Sequence, residues 1–206
     1  SPYDGIYGAD RGVNRFWPSL GPRDLDTSQG QPYKDWFSLP NNERYYDLIV
    51  GNVHFFFINS GYNSAGTPTE ADGNAEDSAQ ATWILTKVAR STIKWKVAVV
   101  AAPPYSSQAG IAKTALRWHW AFYKFDAVIS AGGAQSYERL EVDGFPYIVN
   151  GSGGSTLSPF SGPVQDGSVI RDSTNYGAVQ IQASCDALTF NFINVDGDTI
   201  DTLTLT

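Results

Sequence analysis

Apolar and aromatic positions fall in short runs rather than long stripes, and the runs sort into strands more readily than helices. Asn42 to Val50 and Val53 to Asn59 are aromatic and β-branched, separated by Gly51-Asn52, which predicts a hairpin with both strands in the core. Lys96 to Ala101 is a continuous apolar run bounded by Pro103-Pro104, and so predicts a buried strand ending in a rigid loop. Ala127 to Ile129 is a second such run. It ends in the small-residue turn Gly132-Gly133-Ala134-Gln135 before Ser136-Tyr137-Glu138-Arg139, delivering a loop to the same end of the sheet. Between the two, Lys113 to Tyr123 predicts a helix with Leu116, Trp120 and Tyr123 on one face, and hence a parallel strand pair. Ser78 predicts the N-cap of a helix running through Trp83, Ile84 and Val88 to Ala89.

Tyr147-Ile148-Val149 is a further strand, followed by the Gly-rich 151–154 segment. Alternation over Ala178 to Ala183, Leu188 to Asn194 and Thr199 to Leu205 predicts an antiparallel meander over 178–206. Polar stretches complete the picture. Residues 1–40 are mostly loop, with turn formers at Asp10-Arg11-Gly12 and Ser28 to Pro32, and Gly61 to Asp77 is an exposed loop. A single domain spans 1–206, without internal repeats.

Composition adds exclusions. Net charge is −7 with no basic run, which argues against nucleic acid and anionic membranes as partners. No segment has the roughly 20 apolar residues of a membrane span. Cys185 is alone, so it forms no internal disulfide and belongs to no Cys-rich zinc site. Low charge (17%), 20 Gly and 11 Pro predict an extracellular or cell-surface protein. Without a Met at position 1, Ser1 reads as a processed or trimmed terminus.

In order and register, Asn42 to Asp47, His54-Phe55-Phe56, Ser78-Ala79-Gln80, Trp95-Lys96-Val97, Pro103 to Ser107, Ser136 to Arg139 and Val149 to Gly154 resemble the calcineurin-like metallophosphoesterases. Within them the resemblance is to the purple-acid-phosphatase-like branch. It implies an α/β fold built as an α/β/β/α sandwich that lacks the family's N-terminal part. It also implies a two-metal phosphoesterase site whose ligands come from Gly-Asn-His-Asp, from His-His before Pro-Pro, and from Gly-His-x-His before Tyr-Glu-Arg. Here the first motif reads Gly21-Pro22-Arg23-Asp24, the second Ala101-Ala102-Pro103-Pro104 and the third Gly132-Gly133-Ala134-Gln135. Pro22, Arg23, Asp24, Ala101, Ala102, Gly133 and Gln135 thus occupy vestigial site positions, and neither a metal nor another cofactor is expected.

Remaining polar residues have structural readings beside functional ones. His54 at a strand start and His119 in a helix are expected to be structural, and Glu138-Arg139 to form an ion pair under a loop. Asp196-Gly197-Asp198 is a hairpin turn rather than a calcium loop, and Asn150-Gly151-Ser152 is a formal glycosylation sequon. Three functions follow. The first is a catalytically inactive structural subunit that associates with itself or with a chain supplying missing strands. The second is an anion- or glycan-binding module with a cleft lined by Arg23, Tyr105, Tyr137 and Arg139. The third is a processed fragment of a metal-dependent phosphatase.

Overall fold

A computed structural model describes residues 16–131 and 133–206; Ser1, the expected turn at Asp10-Arg11-Gly12 and Gly132 lie outside the described residues. The larger sheet has seven strands: β1 (Tyr46–Val50), β2 (Val53–Ile58), β3 (Trp95–Val100), β4 (Ala127–Ser130), β5 (Tyr137–Val142), β6 (Phe145–Asn150) and β7 (Ser168–Asp172). Their order is β1-β2-β3-β4-β6-β5-β7. The central four, β2, β3, β4 and β6, are parallel, and the outer strands pair antiparallel. The smaller sheet is the predicted meander, β8 (Gly177–Ala183), β9 (Leu188–Asn194) and β10 (Thr199–Leu205), in order β10-β9-β8.

Strand periodicity of two gives the larger sheet two buried faces. On one, Val53, Trp95, Val97, Ala127, Tyr137 and Ile148 meet Leu188, Phe190 and Phe192 of the smaller sheet. Tyr137 stacks on Phe192 with ring centroids 4.1 Å apart. On the other, Phe56, Ile58, Ala98, Val100 and Val128 pack against Ala81, Ile84 and Val88 of helix α2 (Ala79–Arg90). Ser78 caps α2 as expected, its hydroxyl accepting from the Ala81 N–H at 3.1 Å. A third cluster seats residues 20–39, with the short helix α1 (Gln31–Trp36), against Tyr46 and Phe57 at the β1 end. Both helices lie on the larger sheet, and Ala178, Gln180 and Gln182 on the far face of the smaller one are exposed.

Several expectations need correction. Residues 113–123 form no α-helix: a single 3₁₀ turn at Thr114–Leu116 ends at Arg117, whose ψ is 59°. The cause is tertiary packing, because Trp118 and Trp120 stack with centroids 4.7 Å apart and a helix would splay residues two apart onto opposite faces. Strand β3 still runs parallel to β4, by a crossover without an α-helix. β1 is an edge rather than a core strand, with Ile49 and Val50 exposed. The 61–77 loop is only partly exposed, because it is anchored: Arg44 forms ion pairs with Glu70 and Asp72, and the Glu70 side chain is buried. Strands β5 and β7 were not predicted, since polar and charged residues interrupt their alternation.

Candidate functional site

At the C-terminal ends of the parallel strands, loops gather around a cleft of about 470 Å³. Pro22, Arg23 and Asp24 enter from the N-terminal segment, Tyr62, Asn63 and Ser64 follow β2, Ala102 and Lys113 follow β3, and Gly133 follows β4. Five of the seven positions singled out by the altered motifs therefore share one cavity. Ala101 turns instead into a cavity between the two sheets. Gln135 turns to the 155–158 loop, where its side-chain amide donates to Ser155 and its backbone carbonyl accepts from the Ser158 N–H. The turn between β4 and β5 fits there because residue 151 is glycine: a Cβ would lie 2.4 Å from the Gln135 nitrogen.

Local hydrogen bonds set the walls. Asp24 folds back to accept from the Gly21 N–H at 2.8 Å, closing its own turn. Asp26 accepts from the Ser64 N–H at 2.9 Å, tying the 24–26 turn to the loop after β2; the Ser64 hydrogen bonds hold its carboxyl below the usual range. Lys113 is held by its N–H to the Pro103 carbonyl, and its ammonium lies 4.8 Å from the centre of the Tyr62 ring. Neither Arg23 nor Lys113 has a carboxylate partner among the described residues.

The two-metal centre implied by the resemblance does not fit these walls. Among the described residues they offer one carboxylate, already hydrogen-bonded, and two cations that would repel a divalent ion. Among the described residues no group of three or more His, Cys, Asp or Glu stands where it could hold a metal.

The other predicted cleft residues lie elsewhere. Tyr105 packs edge-on against Tyr147 and under the Arg117 guanidinium. Tyr137 and Arg139 point between the sheets and bind Asp201. Glu138 points the opposite way along the same strand, so the expected Glu138-Arg139 ion pair does not form. Glu138 accepts instead from Ser106, Ser107 and Ser168. Lys113, missed in the sequence, joins the cleft only because the turns of residues 105–113 carry it there.

His54 is buried and structural, its ring bridging Asp47 of β1 (2.9 Å) and Ser91 (2.8 Å) at the end of α2. This has the connectivity of a Ser-His-Asp triad, yet Ser91 lines neither the cleft nor the cavity between the sheets. His119 is exposed and pairs with Glu76, in a loop rather than the expected helix. Asn150 of the sequon hydrogen-bonds the Gly177 carbonyl, and Ser152 is fully buried. Residues 196–198 form the expected turn, with Asn194 accepting from the Asp196 and Asp198 N–H groups.

Comparison with known proteins places this geometry. A family model described as iron/zinc purple acid phosphatase-like protein C matches residues 144–202, from the β5–β6 turn into β10. The fold resembles the purple acid phosphatase PPD1 from yellow lupin (Lupinus luteus) seeds, with a TM-score of 0.73 and 19% identity over 92% of this chain and 38% of that one. It also resembles GAP50, described as the anchor in the inner membrane complex of Plasmodium, with a TM-score of 0.60 and 20% identity over 82% of this chain and 55% of the other. The chain thus spans well under two thirds of either relative's length. No curated protein matches it in sequence.

Proposed function

From a metallophosphoesterase-like domain of the purple-acid-phosphatase type, we propose a protein that does not hydrolyse phosphoesters and works by association as a structural subunit outside the cell. One observation carries the first half: the loops still converge, but they bring Pro22, Arg23, Ala102 and Gly133 together where metal donors would be required. Use of this fold in a relative described as an anchor supports the second half. With p-nitrophenyl phosphate and added iron, zinc or manganese, the expected rate equals that of a protein-free blank. Turnover abolished by a chelator would overturn the non-catalytic reading and revive the phosphatase-fragment one. Native mass spectrometry should give multiples of 22.4 kDa or a complex with a second polypeptide. A monomer, alone in extracts of its source, would sink association.

The cations Arg23 and Lys113, without an ion pair among the described residues, favour a second reading, an anion-binding cleft without turnover. Titration with inorganic phosphate at low salt should saturate, and Arg23→Ala should weaken it about tenfold, the value of one charge-assisted hydrogen bond. Equal binding by the variant removes this reading.

A further inference from the structure

We infer that His119 and Glu76 form a pH-sensitive clasp between two segments that wall the cleft, so that acidification tightens the cleft's hold on an anion. The clasp stands on its own contacts, and its effect on a ligand rests on the anion-binding reading. The 61–77 loop and the 113–123 segment meet at the cleft, where the Lys113 ammonium lies 4.8 Å from the centre of the Tyr62 ring. They meet again further along, through residues 74–76 and 118–123.

The second meeting is a set of converging hydrogen bonds. The Trp118 indole N–H donates to the Asn74 carbonyl at 3.1 Å, and the His119 backbone N–H to Glu76 Oε1 at 3.2 Å. His119 Nδ1 lies 2.8 and 2.9 Å from the two Glu76 oxygens, and the Tyr123 hydroxyl donates to the same carboxylate. Trp118 is 3% exposed and stacked on Trp120, whereas the His119 side chain is 77% exposed. A buried anchor thus carries a ring that solvent protons reach freely.

Other charged groups of these segments are engaged elsewhere. Arg117 donates to the Pro104 carbonyl and covers the Tyr105 ring, Asp126 accepts from the Lys96 N–H, and in the loop Glu70 and Asp72 pair with Arg44. Asp77 beside Glu76 and Lys124 beside Tyr123 are exposed. Burial would raise the Glu76 carboxyl, but the hydrogen bonds from His119 and Tyr123 outweigh it and hold the group below its ordinary value of 4.5. Glu76 is therefore ionised throughout the range in which an imidazole changes charge. On the acid side of that range an imidazolium faces a carboxylate. On the basic side the neutral ring still donates from Nδ1, but the bond has lost its charge and is about half as strong.

From His119 back to Lys113 the chain is short and tightly turned. The Arg117 N–H donates to the Thr114 carbonyl and the Leu116 N–H to the Lys113 carbonyl, both at 3.0 Å, and the Trp118 indole also donates to the Ala115 carbonyl at 3.0 Å. Loosening His119 from Glu76 is therefore carried to the ammonium over Tyr62. Because water screens an exposed pair, the effect on affinity is about twofold to fivefold.

Hydrogen exchange of the Trp118 indole and the His119 amide, followed by NMR on the full chain at about pH 5.5 and about pH 8, tests the clasp. Relative to His119→Gln at the same pH, the native chain should be protected about twofold to fivefold at the lower value and less at the higher one. His119→Arg, whose charge does not titrate, should keep its protection at both. Sulfate, doubly charged over this range, tests the cleft: at low salt the native chain should gain about twofold to fivefold more affinity on acidification than His119→Gln does. Equal exchange in the native chain and His119→Gln at both values overturns the clasp. Protection that follows pH beside sulfate binding that does not overturns its control of the cleft. Absence of saturation by sulfate at either pH removes the anion-binding reading and that control with it, while the exchange result still decides the clasp.

Discussion

Arg139→Ala lowers the unfolding free energy by about 3–5 kcal/mol, measured by urea titration, because it strands a buried carboxylate between the sheets. Asp201 accepts from Arg139 at 2.6 and 2.9 Å and from the Tyr137 hydroxyl at 2.8 Å. The side chains of Arg139 and Asp201 are only 13% and 8% exposed. Burial alone would raise the Asp201 carboxyl, but the hydrogen bonds from Arg139 and Tyr137 outweigh it and hold the group below its ordinary value of 3.8. A depressed folded value means that this contribution is complete above the unfolded value and is lost as pH falls through the folded one. Stability should therefore decline below about pH 4, and part of that decline should vanish in Asp201→Asn. Replacing both charges, Arg139→Met with Asp201→Leu, should recover most of the loss, since no uncompensated charge remains. Equal destabilisation by the single and double replacements would mean that packing, not charge pairing, joins the sheets here.

That network also marks what the sequence could not reveal. Runs with one consistent environment were legible: β2, β3, β4 and the meander follow directly from apolar alternation or continuity, and α2 from its cap and spacing. β5 was not, because Tyr137, Glu138 and Arg139 read as polar rim residues until partners from distant strands satisfy them. Their burial depends on Ser107, Ser168 and Asp201, separated from them by 30 to 64 residues. The 113–123 segment failed for a related reason: its apolar spacing fits a helix, but the stacked Trp118 and Trp120 prefer a loop. At the cleft, motif positions could be aligned, and Pro22, Arg23, Asp24, Ala102 and Gly133 line one cavity. Lys113 could not be found, as it belongs to no motif and arrives by loop geometry.

Glu138→Ala should cost about 3–5 kcal/mol, although the residue touches neither the cleft nor the smaller sheet. Glu138 is 1% exposed. It accepts from the Ser107 N–H at 2.7 Å and from the hydroxyls of Ser106, Ser107 and Ser168. Ser107 in turn accepts from the Gln165 N–H at 2.9 Å, so one side chain fastens the loop after β3 to the segment entering β7. Truncation leaves the buried N–H and hydroxyl of Ser107 without an acceptor, at roughly 1–3 kcal/mol each before relaxation, and opens a void. Glu138→Gln retains an acceptor oxygen but replaces the other by an amide that can only donate, so about 1–2 kcal/mol is expected. The same loop continues through Gly110 and Ile111 to Lys113 at the cleft. Glu138→Gln should therefore weaken phosphate binding while the chain remains folded, and the loss should not add fully to that of Lys113→Ala, because both act through one ammonium. Full additivity in that double-mutant cycle would show that Glu138 stabilises the loop without positioning Lys113.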